Sequence, residues 1–198
     1  TYVNALPLLV DNRDQKIHTT FNQTVTNTGR LSSSKPNLQN IPIRKQSGKD
    51  VRRAFIPSEG DYILMAADYS QIELRLIAEL SQEDNMMEAF LNNEDIHAST
   101  ASKVFKVDIN DVTSEMRANA KTVNFGIIYG VSAFGLSEQS TLNRKEASAL
   151  IQVYFETYPR LKLYMDNQIN FARENGYVQT ILGRKRYLRN INSRNSFV

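Results

Sequence analysis

RANAKTVNFGIIYG, Arg117–Gly130, is the stretch on which the reading of the chain turns. Thr113 or Ser114 stands before it as a helix cap and Glu115 falls in the first turn, so a helix is predicted to run through it. Met116, Ala120, Val123 and Ile127 recur at helical spacing and predict a buried stripe. Arg117, Lys121, Phe125 and Tyr129 are spaced four apart. At about 100° per residue each such step drifts roughly 40°, so these four share one broad face nearly opposite the apolar one. Two cations at this spacing repel each other on an isolated helix. A polyanion facing both removes that repulsion. Arg offers a planar fork, Lys a compact charge, and the rings offer faces on which bases stack. The pattern points to a nucleoside triphosphate beside a base pair. The plainer alternative is a solvated basic face with two core aromatics.

Upstream lies DYSQIELR, Asp68–Arg75, following the apolar run YILMAA, Tyr62–Ala67. That run, after a Gly60-Asp61 turn signal, predicts a buried strand. Asp68 would then sit where a rigid strand ends and a cleft can open. A carboxylate so placed suits Mg²⁺, which takes one or two protein carboxylates and keeps places for water and substrate phosphates. Glu73 falls in the first turns of the next helix, marked by Ile72, Leu76, Ile77 and Leu80. A helix-capping Asp with an exposed Glu is the alternative. Further upstream, TGRLSSSKPNLQNIP, Thr28–Pro42, gathers Arg30, Lys35, Asn37, Gln39 and Asn40 with three serines. Amides and Arg read base edges, and Ser and Lys contact phosphates. A polar Ω-loop is the alternative, and Ser32–Pro42 is expected to be irregular.

The remaining elements follow from punctuation and period. KIHTTFNQTV, Lys16–Val25, predicts a strand. Asp95 is a plausible cap for a helix through Ala98–Phe105. Helices are predicted at about 144–157 and 161–175, with Gly176 as the stop. Tyr177–Leu182 and Arg186–Leu188 would close a hairpin around Gly183. Strands, then many helices, then strands imply an α+β fold with a helical block inserted into a sheet domain.

Composition bounds the rest. The 198 residues are 41% hydrophobic with 13 Gly and Pro together, an ordinary globular balance. There is no cysteine, which excludes disulfides, thiolate metal sites and cysteine nucleophiles. No apolar run approaches the roughly 20 residues of a membrane span, and no signal-peptide pattern opens the chain. A soluble, cytoplasmic protein without a membrane partner is expected. Net charge is +3 but uneven: nine Lys/Arg against three Asp/Glu in residues 1–53, ten against eighteen in 54–174, and five against none in 175–198. Basic ends that meet in space would make a phosphate-binding surface. Glycine phosphate loops and metalloprotease helix pairs are missing, and with only His18 and His97 a Ser-His-Asp triad has little material.

Taken together and in this order, TGRLSSSKPNLQNIP, DYSQIELR and RANAKTVNFGIIYG, with the intervening DIHASTASKVF and the closing GYVQTILGRKRYL, resemble the polymerase core of the bacterial family A DNA polymerases, the DNA polymerase I type. The resemblance spans about Leu6–Asn192. It implies a partial palm sheet carrying a large inserted helical fingers subdomain: residues 1–80 the N-terminal palm with its first catalytic motif, 81–175 the fingers, and 176–198 the return into the palm. It implies template-directed DNA synthesis by nucleotidyl transfer from a dNTP to a primer 3′-hydroxyl, with two Mg²⁺ ions. Asp68 and the carbonyl of Tyr69 would ligate metal. Gln71, His97, Arg117 and Lys121 would contact the triphosphate, Glu73 would exclude a ribose 2′-hydroxyl, and Phe125 would stack near the incoming sugar and base. Tyr129 would hold the templating-base site with Gly130 leaving room. Arg30 would reach the minor groove, and Asn37, Gln39 and Asn40 would line the duplex.

The family's second catalytic palm segment carries a His-Asp-Glu run, and none occurs here: His97 precedes Ala98 and His18 precedes Thr19. The expectation is therefore a fragment of a nucleoid-associated enzyme, inactive alone, from a parent that is itself monomeric. Its uncovered palm surface is expected to promote self-association. Three other readings stand beside this one. A non-catalytic nucleic-acid-binding module predicts ligand binding without chemistry. A single-subunit RNA polymerase relative is disfavoured by Glu73. A structural helical protein predicts Arg117 and Lys121 in surface ion pairs and no cleft.

Overall fold

The computed structural model describes residues 2–43, 46–57 and 60–194. They form two compact units, Thr1–Asp68 and Tyr69–Val198. The fold is mixed helical with small sheets.

The first unit opens with a short helix, α1 (Tyr2–Ala5), and a 3₁₀ turn at Leu6–Leu9. Strand β1 (Thr20–Asn22) pairs antiparallel with β2 (Ser32–Ser34), Phe21 opposite Ser33. The strand predicted over 16–25 is therefore confined to three residues, with Ile17 adding an isolated bridge to Val10. The stretch 32–42 is not irregular throughout, because its first three residues are β2. Helix α2 (Gln46–Arg53) has no apolar periodicity, since Val51 is its one large apolar residue. It docks through Gly48, which lies so close to the Pro42 carbonyl that any Cβ would collide.

The strand predicted at Tyr62–Ala67 does not form. Ile63 and Met65 are 86% and 85% exposed, and Tyr62 and Leu64 are exposed as well. A strand is stable only when a neighbour completes its ladder and covers its apolar side chains. Among the described residues nothing pairs with this run.

The second unit holds the core. Helices α3 (Ile72–Ser81), α4 (Asp84–Leu91), α5 (Ile96–Phe105), α6 (Ser114–Ile128), α7 (Ala133–Gln139), α8 (Arg144–Thr157) and α9 (Pro159–Asn175) precede an antiparallel hairpin of β3 (Tyr177–Gln179) and β4 (Lys185–Tyr187). Helix α3 packs against α4 and α9, so it belongs to this unit although all but its last residue falls in the segment 1–80. Leu74, Met86, Val123, Leu136, Tyr154 and Leu161 are each essentially sealed from solvent.

The helix ends follow the chemistry of capping. Asp95 accepts from the N–H groups of His97 and Ala98, and Thr113 from that of Met116. Asn143 and Glu146 form a reciprocal capping box on α8. Gly176 ends α9 with φ 74°. Glu83, 2% exposed, caps the start of α9 from a distance by accepting the Arg160 N–H at 3.0 Å. Between α6 and α7 the chain turns at Val131, whose N–H reaches the Gly126 carbonyl at 2.8 Å. The Val131 side chain fills the corner: a Cβ on Gly135 would meet it at 3.0 Å and one on Gly126 at 3.4 Å.

Candidate nucleotide and nucleic-acid site

Helix α6 places its two stripes as its sequence period dictates. Ala120, Val123 and Ile127 are buried. Arg117, Lys121 and Tyr129 are exposed, with Phe125 half-buried between them. Phe125 lies 5.7 Å, centroid to centroid, from the ring of His97 on α5.

Arg117 is not idle. Its Nε and a terminal nitrogen meet Oδ2 of Asp95 at 2.8 and 2.7 Å, so the cap of α5 is also the counter-ion of α6. Burial pushes the Asp95 carboxyl up, but the hydrogen bond from Arg117, the two cap N–H donors and the Arg117 charge together carry it below its ordinary value. Lys121 makes no ion pair among the described residues. The structural-protein reading is therefore met for Arg117 and not for Lys121, and a cleft is present. It measures about 320 Å³ and is lined by Ser70, Gln71, Arg75, Phe90, Asp95 and Arg117 among others. Arg75 forms one wall, its Nε on the Ser70 carbonyl at 3.1 Å and its guanidinium 4.5 Å over the Phe90 ring.

Behind the cleft lies a buried polar chain that the sequence reading did not foresee. Gln71 enters α3 with a left-handed φ of 56°, uncommon for a residue with a Cβ. Its side-chain nitrogen is 3.3 Å from Nε2 of His97. Nδ1 of His97 is 3.1 Å from Nδ2 of Asn124, and Asn124 in turn contacts Thr100. Thr100 Oγ1 is 3.0 Å from the Tyr158 hydroxyl. His97 is 1% exposed, so it stands behind Gln71 rather than open to solvent. Burial lowers its pKa, and the Arg117 and Lys121 charges lower it further, against an opposing pull from Asp95. Both effects favour the neutral imidazole. A signal for Asn124 exists in the sequence: it is a polar residue on the Ala120–Val123–Ile127 stripe.

In the first unit, Asn37 Oδ1 accepts from the Ser33 hydroxyl at 2.9 Å and from the Gln39 N–H at 3.1 Å, so this loop is shaped by its own amides. Arg30, Asn37, Gln39 and Asn40 are exposed. Asp68 ends this unit as an exposed carboxylate with no side-chain hydrogen bond or ion pair among the described residues. Tyr69 and Glu73 belong to the second unit, Tyr69 exposed and Glu73 partly so. The cleft and helix α6 therefore bring Gln71, His97, Arg117, Lys121 and Phe125 into one neighbourhood. Among the described residues Asp11, Asp14 and His18 also lie close enough to share a cation. Asp11 is already gripped by Arg13 at 2.6 Å and Asp14 is hydrogen-bonded to His18 at 2.8 Å, so these carboxylates have local partners.

Comparison with known proteins decides the relationship. The model of the family described as DNA polymerase family A matches residues 1–198. The chain belongs to this family. DNA polymerase I of Bacillus caldotenax is 52% identical over 195 residues, which is 98% of this chain and 22% of that protein. DNA polymerase I of Bacillus subtilis (strain 168) is 50% identical with the same coverage. The family A chain thus spans about a fifth of the length of the relatives it matches. Among solved structures, the POL domain of Pol1 from M. smegmatis, in complex with DNA primer-template and dNTP, superposes with a TM-score of 0.90 at 45% identity. That match covers 98% of this chain and 34% of the other. The resemblance expected from the three motifs is correct, and it extends over the whole chain. No helix among the described residues is long and apolar enough to cross a membrane.

Proposed function

We propose that the chain is the nucleotide-binding part of a DNA-directed DNA polymerase, with residues 1–80 as N-terminal palm, 81–175 as fingers and 176–198 as the return to the palm. The observation that carries this is Arg117 and Lys121 one turn apart on the exposed face of α6, with Arg117 reaching a cleft bordered by Gln71. Phosphoryl transfer asks for charge neutralisation and alignment more than for covalent help. Arg117 and Lys121 supply the first against the triphosphate. Gln71, backed by His97, adds polar contacts. Phe125 stacks on the incoming sugar and base, Tyr129 and Gly130 border the templating base, and Glu73 packs where a ribose 2′-hydroxyl would sit. Arg30, Asn37, Gln39 and Asn40 track the duplex. The M. smegmatis relative, bound to DNA primer-template and dNTP, supports the same partners here.

The donor set at Asp68 and the Tyr69 carbonyl consists of hard oxygens, the type Mg²⁺ takes. Of the two ions such a site would take, one would lower the pKa of a primer hydroxyl and the other would offset charge on the leaving pyrophosphate. Asp68 is one carboxylate, and the sequence has no His-Asp-Glu run to furnish another. We therefore read the 198 residues by themselves as a binding module that does not extend primers. The exposed Tyr62–Met65 run supports self-association, read as a dimer on size-exclusion chromatography.

Calorimetric titration of Mg²⁺ and dATP into the chain tests the reading. Binding that needs Mg²⁺, with Lys121→Ala weakening dATP about tenfold and a primer-template duplex much less, is the expected result. Equal loss for both ligands, or none, would overturn the assignment of α6 to the triphosphate. Robust primer extension by the chain would overturn the binding-module reading.

A further inference from the structure

Both ring nitrogens of His97 face amide nitrogens, Nδ1 that of Asn124 at 3.1 Å and Nε2 that of Gln71 at 3.3 Å. A neutral imidazole carries one proton and one lone pair, so one of the two amides must turn its oxygen to the ring. Asn124 is the one that is pinned. Its Nδ2 also lies 3.1 Å from Thr100 Oγ1, and all three side chains are buried. The single proton of Thr100 goes to the Ile96 carbonyl at 2.7 Å, much shorter than its 3.3 Å approach to the Asn124 oxygen. Thr100 Oγ1 is thus an acceptor, served by the Asn124 amide and by the Tyr158 hydroxyl at 3.0 Å. Turning Asn124 around would set its oxygen 3.1 Å from that acceptor and move its nitrogen out to 3.3 Å, the poorer of the two arrangements. Gln71, half-buried at the cleft, makes no other side-chain hydrogen bond among the described residues that would fix its amide.

We propose that Asn124 is a positioning residue: by donating to Nδ1 it holds His97 as the Nε2–H tautomer, whose proton engages the Gln71 oxygen and leaves the Gln71 NH₂ as a donor for a phosphate oxygen in the cleft. This rests on the reading of the cleft as a triphosphate site. Donation then runs one way, from Asn124 through the ring to Gln71. A binding polyanion meets N–H groups rather than an amide oxygen, whose partial negative charge would repel it.

The test is long-range ¹H–¹⁵N correlation of the ¹⁵N-labelled chain near about pH 8, where histidine is neutral. Nδ1 at the shift of a bare nitrogen and Nε2 at that of a protonated one is the expected result; a proton on Nδ1 overturns the proposal. Asn124→Asp replaces the donor by an acceptor and is expected to move the proton to Nδ1. It should also weaken Mg²⁺-dATP binding about tenfold, the worth of one charge-assisted hydrogen bond. A moved proton with unchanged dATP affinity overturns the positioning role. If Asn124→Asp fails to fold, the spectrum of the unaltered chain still decides the tautomer. If the unaltered chain binds no dATP while Nε2 is protonated, the triphosphate reading fails and the tautomer assignment stands.

Discussion

Arg117 and Asp95, 22 residues apart, are joined at one carboxylate oxygen by a hydrogen bond from Nε and an ion-pair contact from a terminal nitrogen, so the cation assigned to the triphosphate starts out held by a helix cap. An incoming phosphate must compete with that carboxylate. Asp95→Asn keeps a good N-cap and removes the competing charge. Because both side chains are nearly half exposed, the pair is worth no more than about 1 kcal/mol. Asp95→Asn is therefore expected to tighten Mg²⁺-dATP binding by up to about fivefold, read by calorimetry. Weaker binding would mean that Asp95 presents Arg117 rather than restraining it.

Glu73 sits in the first turn of α3, two residues beyond Gln71 at the cleft. If its bulk excludes a ribose hydroxyl, Glu73→Ala should narrow the preference of the chain for dATP over ATP. A shift of about tenfold in that ratio is expected, matching the 1–3 kcal/mol typical of shape discrimination in a pocket. Paired titrations of the two nucleotides measure it, and an unchanged ratio would remove Glu73 from sugar selection.

Tyr154 is fully buried, and its hydroxyl has no hydrogen-bond partner among the described residues. Burial pushes that hydroxyl's pKa well above its usual value, with Tyr158 and Glu83 adding to the rise. An unsatisfied buried hydroxyl costs about 1–3 kcal/mol, so Tyr154→Phe should raise stability by a sizeable part of that. Urea denaturation gives the sign directly. A loss would reveal a partner, such as an internal water.

Acid should loosen the second unit in two stages. The His97 pKa lies below its ordinary 6.5 in the folded chain, so the unfolded chain takes up that proton first. Its stabilising share is complete above about pH 6.5 and is lost as pH falls through the lowered folded value, at no more than about 1.4 kcal/mol per pH unit. Asp95 follows at lower pH, its share present above the ordinary 3.8 and lost below the depressed folded value. Denaturation midpoints across this range check both, and His97→Asn should flatten the first stage only.

What could be read beforehand was local. The period of 116–129, the cap at Asp95 and the Gly176 stop depend on residues within a turn or two of each other, and each element forms there. The apolar run at 62–67 carried the composition of a buried strand but not its partner, and strands exist only in pairs. The partners of the site residues were hidden for a related reason. Asp95 meets Arg117, and His97 meets both Gln71 and Asn124, across separations of 22 to 27 residues that only packing brings together. Asn124 left a trace, as one of two amides, with Asn119, among the small and branched apolar side chains of the buried face of α6.

The corner at Val131 has a mechanical consequence. With its side chain set between Gly126 and Gly135 and its N–H tied back to the Gly126 carbonyl, Val131 tightly closes the joint between α6 and α7. It transmits torque as a welded elbow does. Any rotation that swings Arg117 and Lys121 toward a ligand must carry α7 along, and through α7 the helix α8 packed against it. The body that would turn with such a rotation is therefore three helices long, and its tightest contact depends on the methyl group that Gly135 lacks.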